Sequence, residues 1–493
     1  MGNGELKGIR PRLGVLAVTS GWFRDVGLQS AEGDTSVAVS RTADRLIAKI
    51  QGFADTVFGG VVYSTAEAEK EARAIREAEV DGLLLVPLMW CEDAIPRAAL
   101  AMLADLPLIL WTFSPEPRLP DFLPFPRILQ GSGPVCTLQL SGMLRREGRA
   151  FKSVVGHLED PEVFDEIRAL ATGMAVRRRL ASLRIGLLPF PCSQMSTTYV
   201  DEFGLRARYG IELRPLELER VRKAAAESDP AAVEEFRAGI AAGAVRVEVD
   251  ERNLVEGIRY ALALRRLAAE ERLGALAMND VIEEMHASFG LRPCLSDPVF
   301  SGTGVVVSME ADVAAAAGMA ILRLATGDSP FYTEPFSADY EANAILMGHA
   351  GYHDGSNADP RAGARVVSDV EYENSDRFTG AVTLFKYRPG PVTTVNSVWS
   401  GVGLKWVIAE GESLPGPAKM DGNAHLVFRP DARVKDFFAH AVADGVSQHW
   451  LFVPGRISRA LDSLCGVLGI EASVVGSERT GARAVRTGEA PQA

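Results

Sequence analysis

The strongest constraint in this chain is an alternation. In its first third, short apolar runs rich in β-formers are separated by stretches of helical periodicity. Leu13–Thr19, Gly82–Pro87 and Pro107–Thr112 read as strands and Thr56–Tyr63 as β-rich, with Ala38–Phe53, Thr65–Glu79 and Ala94–Leu103 as intervening helices. Continuously apolar strands need cover on both faces, which a parallel sheet between helices provides. Right-handed crossovers then give a doubly wound domain.

The pattern restarts further on. Phe164–Ala181 reads as a long helix leading into a fresh buried strand, Leu183–Leu188. Helical Ala231–Ala242 and Asn253–Leu273 flank β-like Ala244–Val249, and Gly274–Met278 begins another strand–helix unit. After about Thr326 the character changes to short β-like runs with turn residues between them, as in an antiparallel sheet or small barrel. The expected fold class is therefore α/β: two doubly wound, Rossmann-like α/β domains (8–180 and 181–328), then a β-rich, barrel-like C-terminal domain (329–476). Residues 477–493, small and charged, read as a disordered tail.

Composition narrows the function. Of 493 residues, 47% are hydrophobic and 24% charged, which excludes a disulfide scaffold, a fibre or a wholly disordered chain. A net charge of -12 argues against binding nucleic acid by phosphate attraction. The five scattered cysteines form no C-x-x-C pair and fit a reducing compartment. Leu13–Val18 is too short for a signal-peptide core, and no window approaches the roughly 20 apolar residues that span a bilayer. A cytoplasmic protein with no membrane partner is expected. There is no Walker A, no G-x-S-x-G and no well-formed G-x-G-x-x-G after the first strand.

Chemistry concentrates between Gly304 and His449. A strand, Val305–Val307, runs into Glu310-Ala311-Asp312, and an Ala-rich helix follows, closed by Gly327. Glu334 ends the run Phe331-Tyr332-Thr333. If that run is the next parallel strand, Glu310 and Glu334 share the carboxyl edge where open α/β sheets place ligands. Each acid also has a plainer reading: Glu310 as an acid at a helix N-terminus, Glu334 as a surface acid. His349 closes the apolar strand Asn343–His349, and His449 stands directly before Trp450–Val453. His425 falls within a strand, while His353, in a loop, reads as solvated. Two glutamates and two histidines at strand ends make an O/N ligand set suited to Mn²⁺, Mg²⁺ or Co²⁺. Trp22 and Trp90 both stand at strand ends, where core or rim packing is an equal reading.

These residues resemble the L-fucose and L-arabinose isomerase superfamily. The resemblance rests on Glu310-Ala311-Asp312, Glu334, Gly348-His349, His449 and Gly469-Ile470-Glu471. Phe151–Asp160 and Gly290–Leu295 resemble the stretches leading into that family's second domain and its first catalytic acid. It implies a metal-dependent aldose–ketose isomerase, usually with Mn²⁺, acting on a free pentose or (deoxy)hexose such as L-arabinose or L-fucose through a cis-enediol. Glu310 and Glu334 would be the acid/base pair, and Glu310, Glu334, His349 and His449 the metal ligands. Trp22, Trp90, Asp312 and His425 would contact substrate, with Asp312 orienting the site or capping the Ala-rich helix. A homotrimer or homohexamer with its site between subunits is implied. Ala311 stands where arabinose-type enzymes have Gly, and Gln448 precedes His449 in place of Asn or His. Two other functions fit the same residues: a metal-dependent epimerase or isomerase of a modified sugar, and a non-catalytic sugar-binding protein.

Overall fold

The computed structural model describes residues 6–24, 35–242, 246–372 and 379–476; the 477–493 tail lies outside them. Five strands form the first sheet: β1 (Arg12–Val18), β2 (Asp55–Val57), β3 (Gly82–Pro87), β4 (Leu108–Ser114) and β5 (Lys152–His157). All pair in parallel, in the order β2-β1-β3-β4-β5. Side chains alternate across the sheet, so Leu13, Val15 and Ala17 pack into one helix-covered core and Leu16 and Val18 into the other. The β-rich stretch Thr56–Tyr63 contributes little more than β2 and a single bridge, Val18–Val62.

The next segment supplies β6 (Arg184–Leu188), β7 (Glu212–Pro215), β8 (Arg246–Glu248), β9 (Ala275–Met278) and β10 (Val306–Ser308). Four make a second parallel sheet, ordered β10-β9-β6-β7. β8 is not among them, although its run was expected to belong to this alternation. It is exposed along its length and pairs instead with β13 (Ala364–Val367), which also pairs with β14 (Val382–Phe385).

The remaining strands are β11 (Phe331–Asp339), β12 (Ala344–His349), β15 (Gly390–Trp399), β16 (Leu404–Ser413), β17 (Ala424–Pro430), β18 (Trp450–Pro454) and β19 (Glu471–Val474). Six of them close into an antiparallel ring, β15-β18-β11-β12-β17-β16, because β16 also pairs with β15. The ring is the expected barrel. It corrects one premise: Phe331–Thr333 is not the next parallel strand. It runs antiparallel to β12 and β18, so Glu334 belongs to the barrel and not to the sheet that ends at Glu310.

The helix Val313–Thr326 joins these layers. Asp312 caps it by accepting from the Ala315 N–H at 2.8 Å, and Gly327 ends it at φ +78°. All its residues except Arg323 and Leu324 are buried, so its Ala-rich composition reflects cover on every side. It packs between the β9/β10 layer and barrel strands β15 and β18. Contact is closest at Gly318, where a Cβ would lie 2.7 Å from Ser397 Cβ. Ser397 Oγ donates to the Ala314 carbonyl at 2.8 Å, tying barrel to helix. Among the described residues no helix is long and apolar enough to cross a membrane.

Candidate active site

The site forms where the carboxyl edge of the second parallel sheet meets the barrel. β10 ends at Ser308, and the chain turns sharply through Met309, Glu310 and Ala311 into the capped helix. Glu310 and Ala311 both adopt left-handed backbone, φ +59° and +52°. For residues carrying a Cβ this conformation costs about 1–3 kcal/mol each, so neighbours must hold it. The Glu310 N–H donates to Asp280 Oδ1 at 2.9 Å, and the Ala311 N–H to the Met278 carbonyl at 2.9 Å. The turn thereby aims the Glu310 side chain at the barrel.

Two barrel histidines meet it. His449, directly before β18, is fully buried; its Nδ1 lies 2.7 Å from Asp312 Oδ2 and its Nε2 2.9 Å from Glu310 Oε2. Asp312 thus caps the helix with one oxygen and orients His449 with the other. His349, the last residue of β12, donates from Nδ1 to the Ala350 carbonyl. That fixes the Nε2 lone pair, which is buried, has no hydrogen-bond partner and lies 3.7 Å from Glu310 Oε1. The Tyr332 ring packs against both imidazoles, with centroids 4.8 and 4.6 Å away.

The electrostatics are divided. Burial pushes His349 down to about 3, helped by the neighbouring His449, so it is neutral. Burial also opposes charge on His449, but hydrogen bonds to Asp312 and Glu310 overcome it and raise the group to about 9. Burial disfavours ionised Glu310; His449, His349 and a Gln448 hydrogen bond outweigh it and keep the carboxyl below its ordinary value. Glu334 is shifted the other way, by burial first and then by the charge of Glu310.

Glu310, His349 and His449 each present a ligand atom, all within 4.8 Å of one another. A carboxylate, an unpartnered imidazole nitrogen and a second imidazole held by a carboxylate fit a divalent cation. Glu334 stands outside this trio. It sits opposite Gly348 in the β11–β12 ladder, next to His349, and it responds to Glu310 and His449 through charge.

The other expected residues lie elsewhere. His425 has both ring nitrogens engaged locally: Nε2 accepts from the Lys419 N–H at 2.8 Å and Nδ1 donates to the Asn423 carbonyl at 2.9 Å. It holds the segment before β17. Trp22 is 76% exposed and lies 6.3 Å, ring to ring, from Trp90, which donates to Gln139; both belong to the edge of the first sheet. His353 is buried and not solvated. Its Nε2 reaches the His349 carbonyl at 2.8 Å, and its ring packs on Phe331.

Several contacts were not foreseen. Gln448 Nε2 lies 3.3 Å from Glu310 Oε2 and 3.0 Å from Met195 Sδ. Buried Arg292 bridges Asp280, Asp369 and Glu371 behind Glu310. The Asn279-Asp280 pair after a predicted strand is the one local signal of this cluster.

No family model matches the chain. It is similar to two sulfoquinovose isomerases, one from Priestia aryabhattai and one from Priestia megaterium (strain ATCC 12872 / QMB1551). Each is 22% identical over 418 residues, 84% of this chain and 90% of the relative. The chain is an aldose–ketose isomerase. In this isomerase the similarity spans nearly the whole length and takes in two parallel sheets and a barrel alike.

Proposed function

We propose that this chain is a metal-dependent sugar isomerase working through a cis-enediol, with Glu310 and Glu334 as its proton-handling pair. The observation that supports it best is the unpartnered Nε2 of buried His349 facing Glu310 and His449. Glu310, His349 and His449 would hold the cation. When bound, it would supply Lewis-acid stabilisation of negative charge on the sugar oxygens.

The chain's own groups divide the remaining work. Glu310, held toward its ionised form, accepts a proton; Glu334, held toward its neutral form, donates one. Opposite shifts on two nearby carboxyls are what proton exchange between adjacent sugar carbons and oxygens requires. Asp312 holds one His449 proton on Nδ1, so the proton on Nε2, facing Glu310, is the one given up for ligation. Gln448 narrows the directions open to the Glu310 carboxylate.

The substrate assigned is a modified hexose, a sulfonated sugar of the sulfoquinovose kind, in preference to L-arabinose or L-fucose; the two relatives support this choice. Mn²⁺ is the cation proposed. A trimer or hexamer would let the exposed Trp22 of a neighbouring subunit border the site. The test is ketose formation from sulfoquinovose, L-arabinose and L-fucose with and without Mn²⁺, followed by NMR in deuterated water. Metal-dependent ketose with deuterium at carbon 1 or 2, lost in Glu310→Gln, is expected. Wild-type turnover in Glu310→Gln, or inversion at a remote carbon, would refute the assignment.

A further inference from the structure

Glu310 is held from behind by a buried ionic cluster that has no place among the groups so far given a role. The carboxyl of Asp280, 1% exposed, is shared. Oδ1 accepts the Glu310 N–H at 2.9 Å, and Oδ2 lies 3.2 Å from Arg292 Nη1. Arg292, 3% exposed, grips Asp369 with both sides of its fork: Nε to Oδ2 at 2.7 Å and Nη2 to Oδ1 at 2.8 Å. Its Nη1 also donates to Glu371 at 2.7 Å, and Glu371 is half-exposed. Asp280 follows β9, whereas Asp369 and Glu371 follow β13. The cluster therefore runs from the backbone of the acid to the segment after β13 of the small β8-β13-β14 sheet.

We propose that Asp280 and Arg292 are positioning residues, an ionic clamp that locks the left-handed Glu310–Ala311 turn and thereby sets the direction of the Glu310 carboxylate. This rests on the role of Glu310 proposed above. Two adjacent residues with Cβ atoms at φ +59° and +52° would relax toward extended backbone unless an acceptor fixed the Glu310 N–H. Asp280 supplies that acceptor. Arg292 supplies the counter-charge that lets a carboxyl stay so deeply buried, and its planar fork makes the anchor directional. Asp369 and Glu371 then make Glu310 depend on a segment 77–79 residues beyond Arg292. A small rotation of the turn would carry the Glu310 oxygens away from both histidines, and misplacements on the order of 1 Å cost about 100-fold in rate.

The experiment uses the full chain with Mn²⁺ as probe and sulfoquinovose as substrate, folding being checked by circular dichroism. Asp280→Ala is expected to lower kcat about 100-fold with KM nearly unchanged, and to weaken Mn²⁺ binding, read by titration without sugar, about tenfold. Asp280→Asn keeps an oxygen for the Glu310 N–H and should retain a kcat about tenfold above that of Asp280→Ala. Asp369→Asn leaves the Asp280–Glu310 bond intact but loosens Arg292, and should lower kcat about tenfold. Wild-type kcat and Mn²⁺ affinity in Asp280→Ala would overturn the clamp, as would Asp280→Asn being no better than Asp280→Ala. Should Asp280→Ala fail to fold, unchanged kcat and Mn²⁺ affinity in Asp369→Asn overturn it. An active Glu310→Gln would instead overturn the functional reading; an inactive Glu310→Gln beside an unaffected Asp280→Ala removes the clamp alone.

Discussion

Asp312 is asked to satisfy two donors at once, and Asp312→Asn separates them. The carboxyl has one oxygen for the Ala315 N–H at 2.8 Å and one for His449 Nδ1 at 2.7 Å. An amide has a single oxygen. With that oxygen left on the helix cap, the amide NH₂ faces His449, whose proton must then sit on Nε2, against Glu310 Oε2 at 2.9 Å. The metal-free protein keeps every group paired but loses the buried charge that helps hold His449 up to about 9, so stability should fall by about 1–3 kcal/mol at neutral pH. Loading Mn²⁺ requires the Nε2 lone pair back, which sets two donors face to face at a buried site, at about 1–3 kcal/mol. That is about a 5- to 150-fold loss of affinity, in line with the roughly 10–100-fold effect of removing a group that orients a metal ligand. Mn²⁺ titration and a thermal melt, run on wild type and Asp312→Asn, read the two terms separately. Unchanged affinity would refute the assignment of Asp312 as the group that sets the His449 tautomer. A fall in stability of several kcal/mol with unchanged affinity would reduce Asp312 to a cap.

Three further outcomes follow from groups already described. His449, raised to about 9, must lose its Nε2 proton to ligate, so Mn²⁺ affinity should fall about tenfold per unit as pH drops from about 8 to 6; a flat titration would contradict histidine ligation. Burial depresses His353 to about 4 from 6.5, so between these values the unfolded chain binds a proton the folded chain refuses. Its stabilisation is complete above 6.5 and is lost as pH falls toward 4, by about 3 kcal/mol, and urea melts of His353→Gln should show a flatter acid limb. Gly318→Val should destabilise the protein by about 1–3 kcal/mol or more in a thermal melt, because its Cβ meets Ser397 and Leu451 on the barrel; an unchanged Tm would mean the helix–barrel contact yields freely.

Much of the fold was legible because its signals are local. Apolar runs of four to seven residues between amphipathic stretches give parallel strands, and Asp312 and Gly327 frame one helix by capping chemistry alone. Glu310 was legible for the same reason, as an acid at a strand end before a capped helix. Strand partnership was not. Phe331-Tyr332-Thr333 is equally apolar in a parallel or an antiparallel sheet, and its partner, Trp450, lies 117 residues further on. Glu334 was therefore set on the wrong sheet, though still beside Glu310. His353 reads as a loop residue, and its burial comes from Phe331 and Phe385 packing over it. Beyond the Asn279-Asp280 pair at a strand end, the Asp280–Arg292–Asp369 cluster carries no local pattern, since Arg292 and Asp369 are 77 residues apart.

The closure of the barrel also has a temporal meaning. Of the six ring strands, β18 is the last in the chain, and it slots between β15 and β11. His449 is carried on its leading end, 139 residues after Glu310. While a ribosome is still making that interval, Glu310 and His349 have no third partner, and the unfinished ring has an open seam where β18 belongs. Insertion of one strand both seals the seam and completes the trio, so the third donor arrives only as the ring closes.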